Sequence, residues 1–214
     1  MTKERRSAHG YFDRMARRWD DFGNAEALRK RLEPLIAMFD IPSGGIVLDV
    51  GTGTGILHPW LVAAVGTSGR VLAFDFSGCM LKQALKKRFS QNLVCFQADV
   101  TAIPLSGKTC DCVVCFAAFP HFYHKLQALQ EMARVTKKGG RVFIAHLMSR
   151  SQIARHHHAN PEVAGHCLPQ TAEMKRLFSE AGLENIAIRD EPGLYFAQGT
   201  KGSGRNKWTH PACL

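Results

Sequence analysis

The sequence predicts an α/β protein with a mostly parallel sheet that helices cover on both faces. The first observation is a repeated alternation of short apolar segments, rich in valine, with amphipathic segments of helical period. The second is that the apolar segments carry few polar residues, which is typical of strands buried on both faces of a parallel sheet. The third is the length of 214 residues, which suits one domain with its own hydrophobic core.

The first half of the chain gives a regular succession of elements. An amphipathic segment at Tyr11–Phe22 leads into a helix at Asn24–Phe39, in which Leu28 and Leu32 recur at helical spacing. The turn sequence Ile41–Gly45 ends that helix. The alternation that follows predicts strands at Ile46–Val50, Arg70–Asp75 and Leu93–Ala98, and helices at Ile56–Val65 and Gly78–Phe89.

The second half continues the alternation and then breaks it. The next predicted strand is Asp111–Phe116. A helix at Lys125–Val135 and a strand at Arg141–Leu147 follow it. The segment Met148–Gln170 is polar and shows no firm period, so we expect an irregular insertion. Thr171 then caps a helix that runs to Ala181, and Gly182 stops it. Two final strands, paired as a hairpin around Pro192, are predicted at Ile186–Arg189 and Leu194–Gln198.

These elements predict one domain over residues 1–200, with a basic flexible tail at 201–214. We expect residues 11–40 to form a helical lid and residues 148–170 to cover the substrate side. The formal net charge of +10 permits an anionic partner. Solvated helix faces explain the charge more simply, because no basic stripe is interleaved with aromatic residues.

The apolar content predicts a cytoplasmic protein that does not enter a membrane. No apolar run approaches the roughly 18 residues that a membrane helix needs, and the N-terminus lacks a signal-peptide core. Most of the 7 cysteines lie in apolar segments, which indicates buried thiols in a reducing compartment. In a regular strand Cys110 and Cys112 would share one face and Cys115 would lie on the other.

The loop after the first predicted strand, Gly51–Gly55, lies where a doubly wound sheet binds its ligand. Glycines at alternate positions let the backbone approach a ligand closely. A dinucleotide fingerprint would require a third glycine at position 56, where the chain has Ile56. Asp49, just before the loop, would repel phosphates. A ligand with a cationic end and no phosphate, such as S-adenosylmethionine, fits this loop better.

Three successive predicted strands end in an acid, namely Asp49, Asp75 and Asp99. A carboxylate at Asp75 can accept both ribose hydroxyl protons of an adenosine cofactor without a 2′-phosphate. Asp99 can accept a hydrogen bond from the adenine amino group. Each motif is weak alone, but the three acids together form a specific set.

With these motifs the chain resembles the class I S-adenosylmethionine-dependent methyltransferases, particularly the small-molecule branch that includes ubiquinone/menaquinone C-methyltransferases. The sequences VLDVGTGTG, AFDFSGCML, FQADVTAIPLSGKTCDCVVC and LQEMARVTKKGGRVFI match the family's motifs in order. The resemblance covers about residues 11–198. It implies a Rossmann-like, doubly wound sheet of seven strands, mostly parallel, whose last strand is antiparallel.

The same resemblance implies which residues hold the donor. The methionyl part would lie against the loop residues, the ribose at Asp75, and the adenine near Asp99. Two aromatic residues of the N-terminal lid would close over the donor. The full set of expected donor-binding residues is Tyr11, Trp19, Asp49, Gly51, Thr52, Gly53, Gly55, Asp75, Phe76, Met80, Asp99, Val100, Phe116 and Ala117.

The segment after the fourth predicted strand argues against two nucleic-acid reactions. Phe116–Phe122 contains no Asn/Asp-Pro-Pro-aromatic sequence, which methylases of exocyclic base amines carry. Pro120 is followed by His121 and not by the nucleophilic cysteine of cytosine C5 methylases. Nucleic acid is therefore not the expected acceptor.

Histidines gather where the acceptor should bind. His146, at the end of the fifth predicted strand, is our first candidate for a base or an acceptor-orienting residue, and His121 is the second. Either histidine could instead simply hydrogen-bond a loop carbonyl. A metal site would draw on His157, His158, His166 and Cys167. We predict none, because their spacing matches no zinc signature and adjacent histidines of a helix point in different directions.

We therefore predict a methyltransferase that uses S-adenosylmethionine and releases S-adenosylhomocysteine. Its acceptor would be a small, partly apolar molecule, because aromatic residues follow the fourth predicted strand, and the basic surplus is compatible with an anionic one. Two alternatives stay open. One is methylation of protein or RNA that uses the basic tail; the other is a non-catalytic module that binds S-adenosylmethionine or a metal. The oligomeric state is not predicted.

Overall fold

The computed structural model describes residues 10–21, 25–87 and 90–202, and the strands in these ranges form one seven-stranded sheet. The strands are β1 (Ile46–Val50), β2 (Arg70–Asp75), β3 (Leu93–Gln97), β4 (Cys110–Phe116), β5 (Thr136–His146), β6 (Leu183–Glu191) and β7 (Leu194–Lys201). Their order across the sheet is β3-β2-β1-β4-β5-β7-β6. Strands β1 to β5 pair in parallel, and β7 is antiparallel to both β5 and β6. The predicted fold class is confirmed.

Helices cover both faces of this sheet. They are α1 (Ala25–Phe39), α2 (His58–Val65), α3 (Gly78–Lys86), α4 (Lys125–Val135), α5 (Arg150–His158) and α6 (Thr171–Glu180). Buried residues of α1 and α2, such as Leu32 and Leu61, belong to one core cluster. Buried residues of α4 and α6, such as Leu129 and Met174, belong to the other. The two clusters lie on opposite faces of the sheet.

Strand β5 shows why the strands are apolar without alternation. Val142 and Ile144 face the cluster under α4 and α6, whereas Phe143 and Ala145 face the cluster under α1 and α2. All of these side chains are fully buried. Successive side chains of a strand point to opposite faces, so a sheet covered on both sides needs apolar residues at every position.

Strand β4 departs from the regular geometry that its sequence predicted. The register with β5 shifts between Cys110 and Cys112, which is the mark of a β-bulge. As a result Cys110 and Cys115 lie in one core cluster and Cys112 lies in the other. The prediction that Cys110 and Cys112 share a face was wrong, because the pairing is irregular here: two steps along β4 correspond to five along β5, from Thr136 to Arg141, and the alternation is not kept across the shift.

The predicted irregular insertion contains a helix, α5, and this prediction was also wrong. Ser149 caps the helix by accepting a hydrogen bond from the backbone N–H of Gln152, while the Gln152 side chain accepts from the N–H of Ser149. Gln152 Oε1 also accepts from the N–H of Gly193 in the β6–β7 turn. A capping box of this kind, Ser-x-x-Gln, was readable in the sequence.

The two ends of the chain are described only in part. Residues 10–15 are helical and continue into a 3-10 helix at Ala16–Asp21, so the predicted amphipathic segment is present as far as Asp21. Phe22 and residues 203–214, most of the predicted tail, lie outside the described residues. Lys201, assigned to that tail, is the last residue of β7. Across the described ranges, no helix has both the length and the apolar character to cross a bilayer.

Replacing Ser149 with alanine removes the cap of α5. We expect Ser149→Ala to lower the free energy of unfolding by about 1 kcal/mol, because an orphan N–H of the first helical turn loses its acceptor. Urea denaturation measures the difference. Ser179→Ala, at an exposed position inside α6, is the control and should change stability by less than about 0.5 kcal/mol. Equal stability of the two variants would contradict the prediction.

Candidate functional site

The candidate site lies at the carboxyl ends of the parallel strands, where the strand order reverses between β1 and β4. The loop Gly51–Gly55 leaves β1 at this point, and its glycines at positions 51, 53 and 55 all have positive φ. A Cβ on Gly51 would lie 2.5 Å from the Cβ of Ala118. A Cβ on Gly53 would meet no atom within 4 Å. The loop is therefore packed against protein at its start and open at its centre.

Asp75, at the end of β2, joins this loop to the next strand. Its carboxylate accepts hydrogen bonds from the N–H of Gly53 at 2.8 Å and from the N–H of Ser77 at 2.9 Å. Burial raises the pKa of the Asp75 carboxyl to about 6, although these backbone hydrogen bonds oppose the rise and nearby Asp13 adds to it. Asp75 is therefore a buried acid, and Asp13, the nearby charged group that raises its pKa, is also an acid.

A second buried acid, Asp49, belongs to a chain of hydrogen bonds beneath the loop. Thr52 Oγ1 donates to Asp49 Oδ2 at 2.5 Å and lies 2.7 Å from His58 Nε2. Burial raises the pKa of Asp49 to about 7, with a further rise from Asp75, while the Thr52 hydrogen bond lowers it. Burial lowers the pKa of His58 to about 4, so the ring is neutral at pH 7.

His58 had no recognised signal in the sequence, and it is important to the loop. The ring is fully buried and fills the space beside Gly55, where a Cβ would lie 2.4 Å from the ring. A neutral His58 can donate Nε2–H to Thr52 while Thr52 donates to an ionised Asp49. The packing of the His58 ring therefore requires glycine at position 55.

A cleft opens beside the loop, with about 610 Å³ of empty space, open solvent included. Of the expected donor-binding residues, four line it: Gly51, Phe76, Asp99 and Val100. The acceptor candidate His121 lines it too, and the remaining lining residues are Phe12, Phe74, Ala98, Thr101, Phe122, Tyr123 and His124.

The N-terminal segment 10–21 lies against the ends of β1 and β2. Asp13 accepts a hydrogen bond from Ser77 Oγ at 2.5 Å, and Asp20 accepts one from Thr54 Oγ1 at 2.6 Å. Phe12 is the residue of this segment that lines the cleft. The two carboxylates thereby attach the segment to the loops after both strands.

Phe12 is at the centre of an aromatic cluster, and the sequence analysis missed it. Its ring contacts Tyr11, Trp19 and Phe76, with centroid distances of 5.2, 5.7 and 5.7 Å. Met80 packs in the same buried cluster. The expected lid residues Tyr11 and Trp19 thus support Phe12. The helical spacing of buried Phe12 and Ala16 was a signal for this face.

Two further expected donor-binding residues lie at the end of β4. Phe116 packs against the cluster under α1 and α2. Ala117 is exposed and has a φ of 56°, a backbone conformation that is strained for alanine. Strained backbone of this kind is concentrated at functional sites, and here it turns the chain toward Ala118, which packs on Gly51.

Three histidines, of which His121 lines the cleft, form a cluster. His121 Nδ1 lies 2.8 Å from His166 Nδ1, and the rings of His121 and His157 are 4.9 Å apart. His157 Nδ1 donates to the carbonyl oxygen of His166. Burial lowers the pKa of all three rings, and for His121 the neighbouring histidines lower it further. The cluster is therefore neutral at pH 7 and can orient a neutral group through hydrogen bonds.

His146, the first catalytic candidate, lies behind this cluster with an exposed fraction of 4%. Burial lowers the pKa of His146 to about 3, and His157 adds to the decrease. A base with so low a pKa removes protons poorly at pH 7. Its Nε2 atom and the hydroxyl of Tyr195 are buried without a hydrogen-bond partner among the described residues. Each such atom costs about 1–3 kcal/mol.

Of the four residues considered for a metal, only His157 and His166 lie in the same cluster. His158 and Cys167 are exposed, while His157 is buried. Within residues 10–21, 25–87 and 90–202, no group of three or more His, Cys, Asp or Glu side chains has the arrangement to hold a metal ion. His124 is the N-cap residue of helix α4.

Comparison with known proteins finds similarity to methyltransferases. A family model described as a methyltransferase domain matches residues 48–144. The ubiquinone/menaquinone biosynthesis C-methyltransferase UbiE of Pseudomonas putida strain GB-1 is 32% identical over 170 residues, which are 74% of this chain and 65% of that protein. The chain covers 48% of the corresponding protein of Pseudomonas paraeruginosa, at 35% identity. It therefore spans about half to two thirds of the length of these relatives.

Solved structures share the fold at lower identity. A chain in the complex that contains the Haloferax volcanii Trm112 methyltransferase activator superposes with a TM-score of 0.76 at 20% identity, covering 89% of this chain and 97% of that one. A SAM-dependent methyltransferase from Aquifex aeolicus has a TM-score of 0.66 at 23% identity, covering 84% of this chain and 99% of that one. At these identities the likeness concerns the fold.

Alanine at the first two glycines of the loop, Gly51 and Gly53, should lower the free energy of unfolding by unequal amounts. We expect Gly53→Ala to lower the free energy of unfolding by about 1 kcal/mol, because a positive φ is its only strain. Gly51→Ala adds a collision with Ala118 and should cost about 2–4 kcal/mol. Urea denaturation of both variants tests the order. Equal losses would mean that Ala118 yields to the new methyl group.

Proposed function

We propose that the chain carries a class I S-adenosylmethionine-dependent methyltransferase domain and transfers a methyl group from S-adenosylmethionine to a small, partly apolar molecule. The observation that carries the proposal is the open centre of the glycine loop, Gly53, held by a buried carboxylate and flanked by the cleft. One domain over residues 1–200 and a cytoplasmic location stay predictions.

The residues at the site fit this donor. S-adenosylmethionine carries an ammonium and a sulfonium, whereas the charges nearest to Asp49 and Asp75 are other acids. A cationic ligand would relieve that repulsion and favour the ionised carboxylates. Gly53 leaves space for close approach to the backbone. We assign the ribose to Asp75 and the adenine to the cleft wall of Phe76, Asp99 and Val100.

The donor supplies a methyl group on a positively charged sulfur, and an in-line displacement transfers it. The protein has to align the acceptor and exclude water, and positioning alone can contribute several kcal/mol. Phe12 and the segment around it cover the ends of β1 and β2, where they can exclude water from the donor. No covalent intermediate with the protein is required.

The lining of the cleft supports an apolar acceptor. Phe12, Phe122 and Tyr123 give an aromatic wall beside His121. His121 is neutral, because burial lowers its pKa well below the usual value, and it lies within hydrogen-bond distance of His166, so it can orient the acceptor through a hydrogen bond. The relatives named as C-methyltransferases of ubiquinone and menaquinone biosynthesis support a small-molecule acceptor. We propose an orienting role for the more deeply buried His146.

The alternatives lead to different observations. Methylation of protein or RNA would draw on the predicted basic tail at 201–214 and would be sensitive to salt. A non-catalytic module would bind the donor without turnover. The compact, aromatic acceptor side favours the small molecule over both.

The first test is transfer of label from methyl-tritiated S-adenosylmethionine to a host-cell extract separated into small molecules, RNA and protein. We expect label only among small molecules. Asp75→Asn should reduce it more than tenfold, because the amide NH2 would face a backbone N–H that the carboxylate now binds. Asp40→Asn is the matched control, since Asp40 is exposed and lies at the end of α1. Label in RNA or protein would contradict the proposed acceptor.

The raised pKa values predict a pH dependence of donor binding. Asp49 and Asp75 ionise as the pH rises through about 6 to 7, and a cationic donor favours the ionised forms. The affinity should therefore increase about tenfold from pH 5.5 to 7.0, with release of protons on binding. Calorimetry in two buffers with different ionisation enthalpies measures both quantities.

Stability of the ligand-free protein should change in the opposite direction. Because the folded-state pKa values exceed the ordinary value of 3.8, the folded protein binds more protons than the unfolded chain between about pH 4 and 7. Its stability is therefore greatest below pH 4, as far as these two groups are concerned, and decreases up to about pH 7. If the donor affinity and the free energy of unfolding both stayed constant over these pH ranges, the raised pKa values of Asp49 and Asp75 would be contradicted.

A further inference from the structure

Two buried polar atoms face each other across strands β5 and β7. His146 and Tyr195 are direct partners in the antiparallel pairing of these strands. Their ring centroids are 6.4 Å apart, and the rings are nearly perpendicular. His146 Nε2 and Tyr195 Oη are both inaccessible to solvent, and neither has a hydrogen-bond partner among the described residues. Partners in an antiparallel pair project from the same face of the sheet.

The surroundings of this pair are apolar. Tyr195 belongs to the core cluster that also contains Phe119, Ile153 and Leu168. A cluster of this kind offers no hydrogen bond to a hydroxyl or an imidazole, so the two polar atoms weaken the ligand-free fold. Polar groups that stay unpaired in a native core call for an explanation, and a ligand that brings the missing partner is one.

The pair is close to the acceptor side of the cleft. His121 lines the cleft, and its pKa responds to His146. The pKa of His146 responds in turn to His157. The rings of His121 and His157, 4.9 Å apart, thus connect the cleft wall with the surroundings of His146.

The chemistry of the two atoms selects an uncharged ligand group. A neutral imidazole Nε2 either donates or accepts, depending on its tautomer, and a phenol hydroxyl does both. An uncharged oxygen can therefore accept from Tyr195 Oη–H and bond His146 Nε2 at the same time. A carboxylate or a phosphate would have to leave water for a site whose two polar groups are neutral. Arg150, the cation that acts on Tyr195, lies 3.7 Å from Asp190 as an ion pair.

We propose that His146 Nε2 and Tyr195 Oη form a binding site for one uncharged oxygen, a hydroxyl or a carbonyl, of an otherwise apolar methyl acceptor. The identification of the ligand as the methyl acceptor rests on the proposed function. The binding site itself can be tested without methyl transfer. It assigns Tyr195 a role in binding and gives His146 a role that does not require it to remove a proton. It also narrows the acceptor from a possible anion to a neutral oxygen compound.

Phenol is the probe, because it carries one uncharged hydroxyl on an apolar ring. Toluene lacks the oxygen and benzoate carries a charge. Titration of the full chain, labelled with 15N-histidine, should show a saturable change in the Nε2 resonance of His146 with phenol and not with toluene or benzoate. In Tyr195→Phe the dissociation constant for phenol should rise at least tenfold. Failure of phenol to change the His146 resonance would overturn the proposal.

Thermal unfolding separates a ligand site from a structural one. Tyr195→Phe removes an unpaired buried hydroxyl, so its unfolding midpoint should equal or exceed that of the wild type. Ser179→Ala, which removes a hydroxyl from an exposed position of α6, is the control for stability and should leave the midpoint unchanged. A midpoint several degrees lower in Tyr195→Phe, with phenol binding unchanged, would indicate that a bound water pairs the two atoms in the native fold and would overturn the proposal.

Transfer of label connects the site to turnover. At low concentrations of extract, Tyr195→Phe should transfer label at least tenfold more slowly than the wild type, and concentrated extract should restore the rate, while the affinity for S-adenosylmethionine is unchanged. Equal rates at every concentration would overturn the proposal. Phenol binding at His146 without any transfer by the wild type would leave the site standing and refute the proposed function.

Discussion

The hydrogen bonds of the Asp75 carboxylate are the constraint on which the rest of the site depends. One carboxylate accepts the N–H of Gly53 in the first loop and the N–H of Ser77 in the second. The loops after β1 and β2 are thereby fixed relative to each other, and the segment 10–21 attaches to both through Asp13 and Asp20. A neutral side chain at position 75 would lose the acceptor that these amides share.

The burial of Asp49 and Asp75 favours a cationic ligand and lowers the stability of the ligand-free fold. Asp49 and Asp75 are nearly inaccessible to solvent, and their raised pKa values measure how much the protein disfavours their charge. A cationic ligand reverses that preference, so part of its binding energy compensates a penalty already present in the ligand-free fold. His146 and Tyr195 extend the same logic to the acceptor side, where unpaired polar atoms weaken the fold until a ligand pairs them.

The acceptor side differs from the donor side in the charge it favours. Its histidines are neutral, because burial and their mutual proximity both disfavour protonation. The donor side holds carboxylates that a cation would ionise. In the proposed function, the positively charged donor would bind beside the buried carboxylates and the uncharged acceptor beside the neutral histidines. The chain is basic overall, but among the described residues no Lys or Arg lines the cleft. Asp99 is the one acidic residue in that lining.

The sequence by itself determined the fold class, the glycine loop and the acids at the strand ends, because each is written in residues that are neighbours along the chain. Apolar runs predicted the strands, and Asp49 and Asp75 lay where such strands end. Only the tertiary structure decided that Phe12 lines the cleft, that His58 supports the loop, and that Tyr195 faces His146. These contacts join segments that are far apart in sequence, and which segments meet depends on strand order and packing rather than on any local pattern.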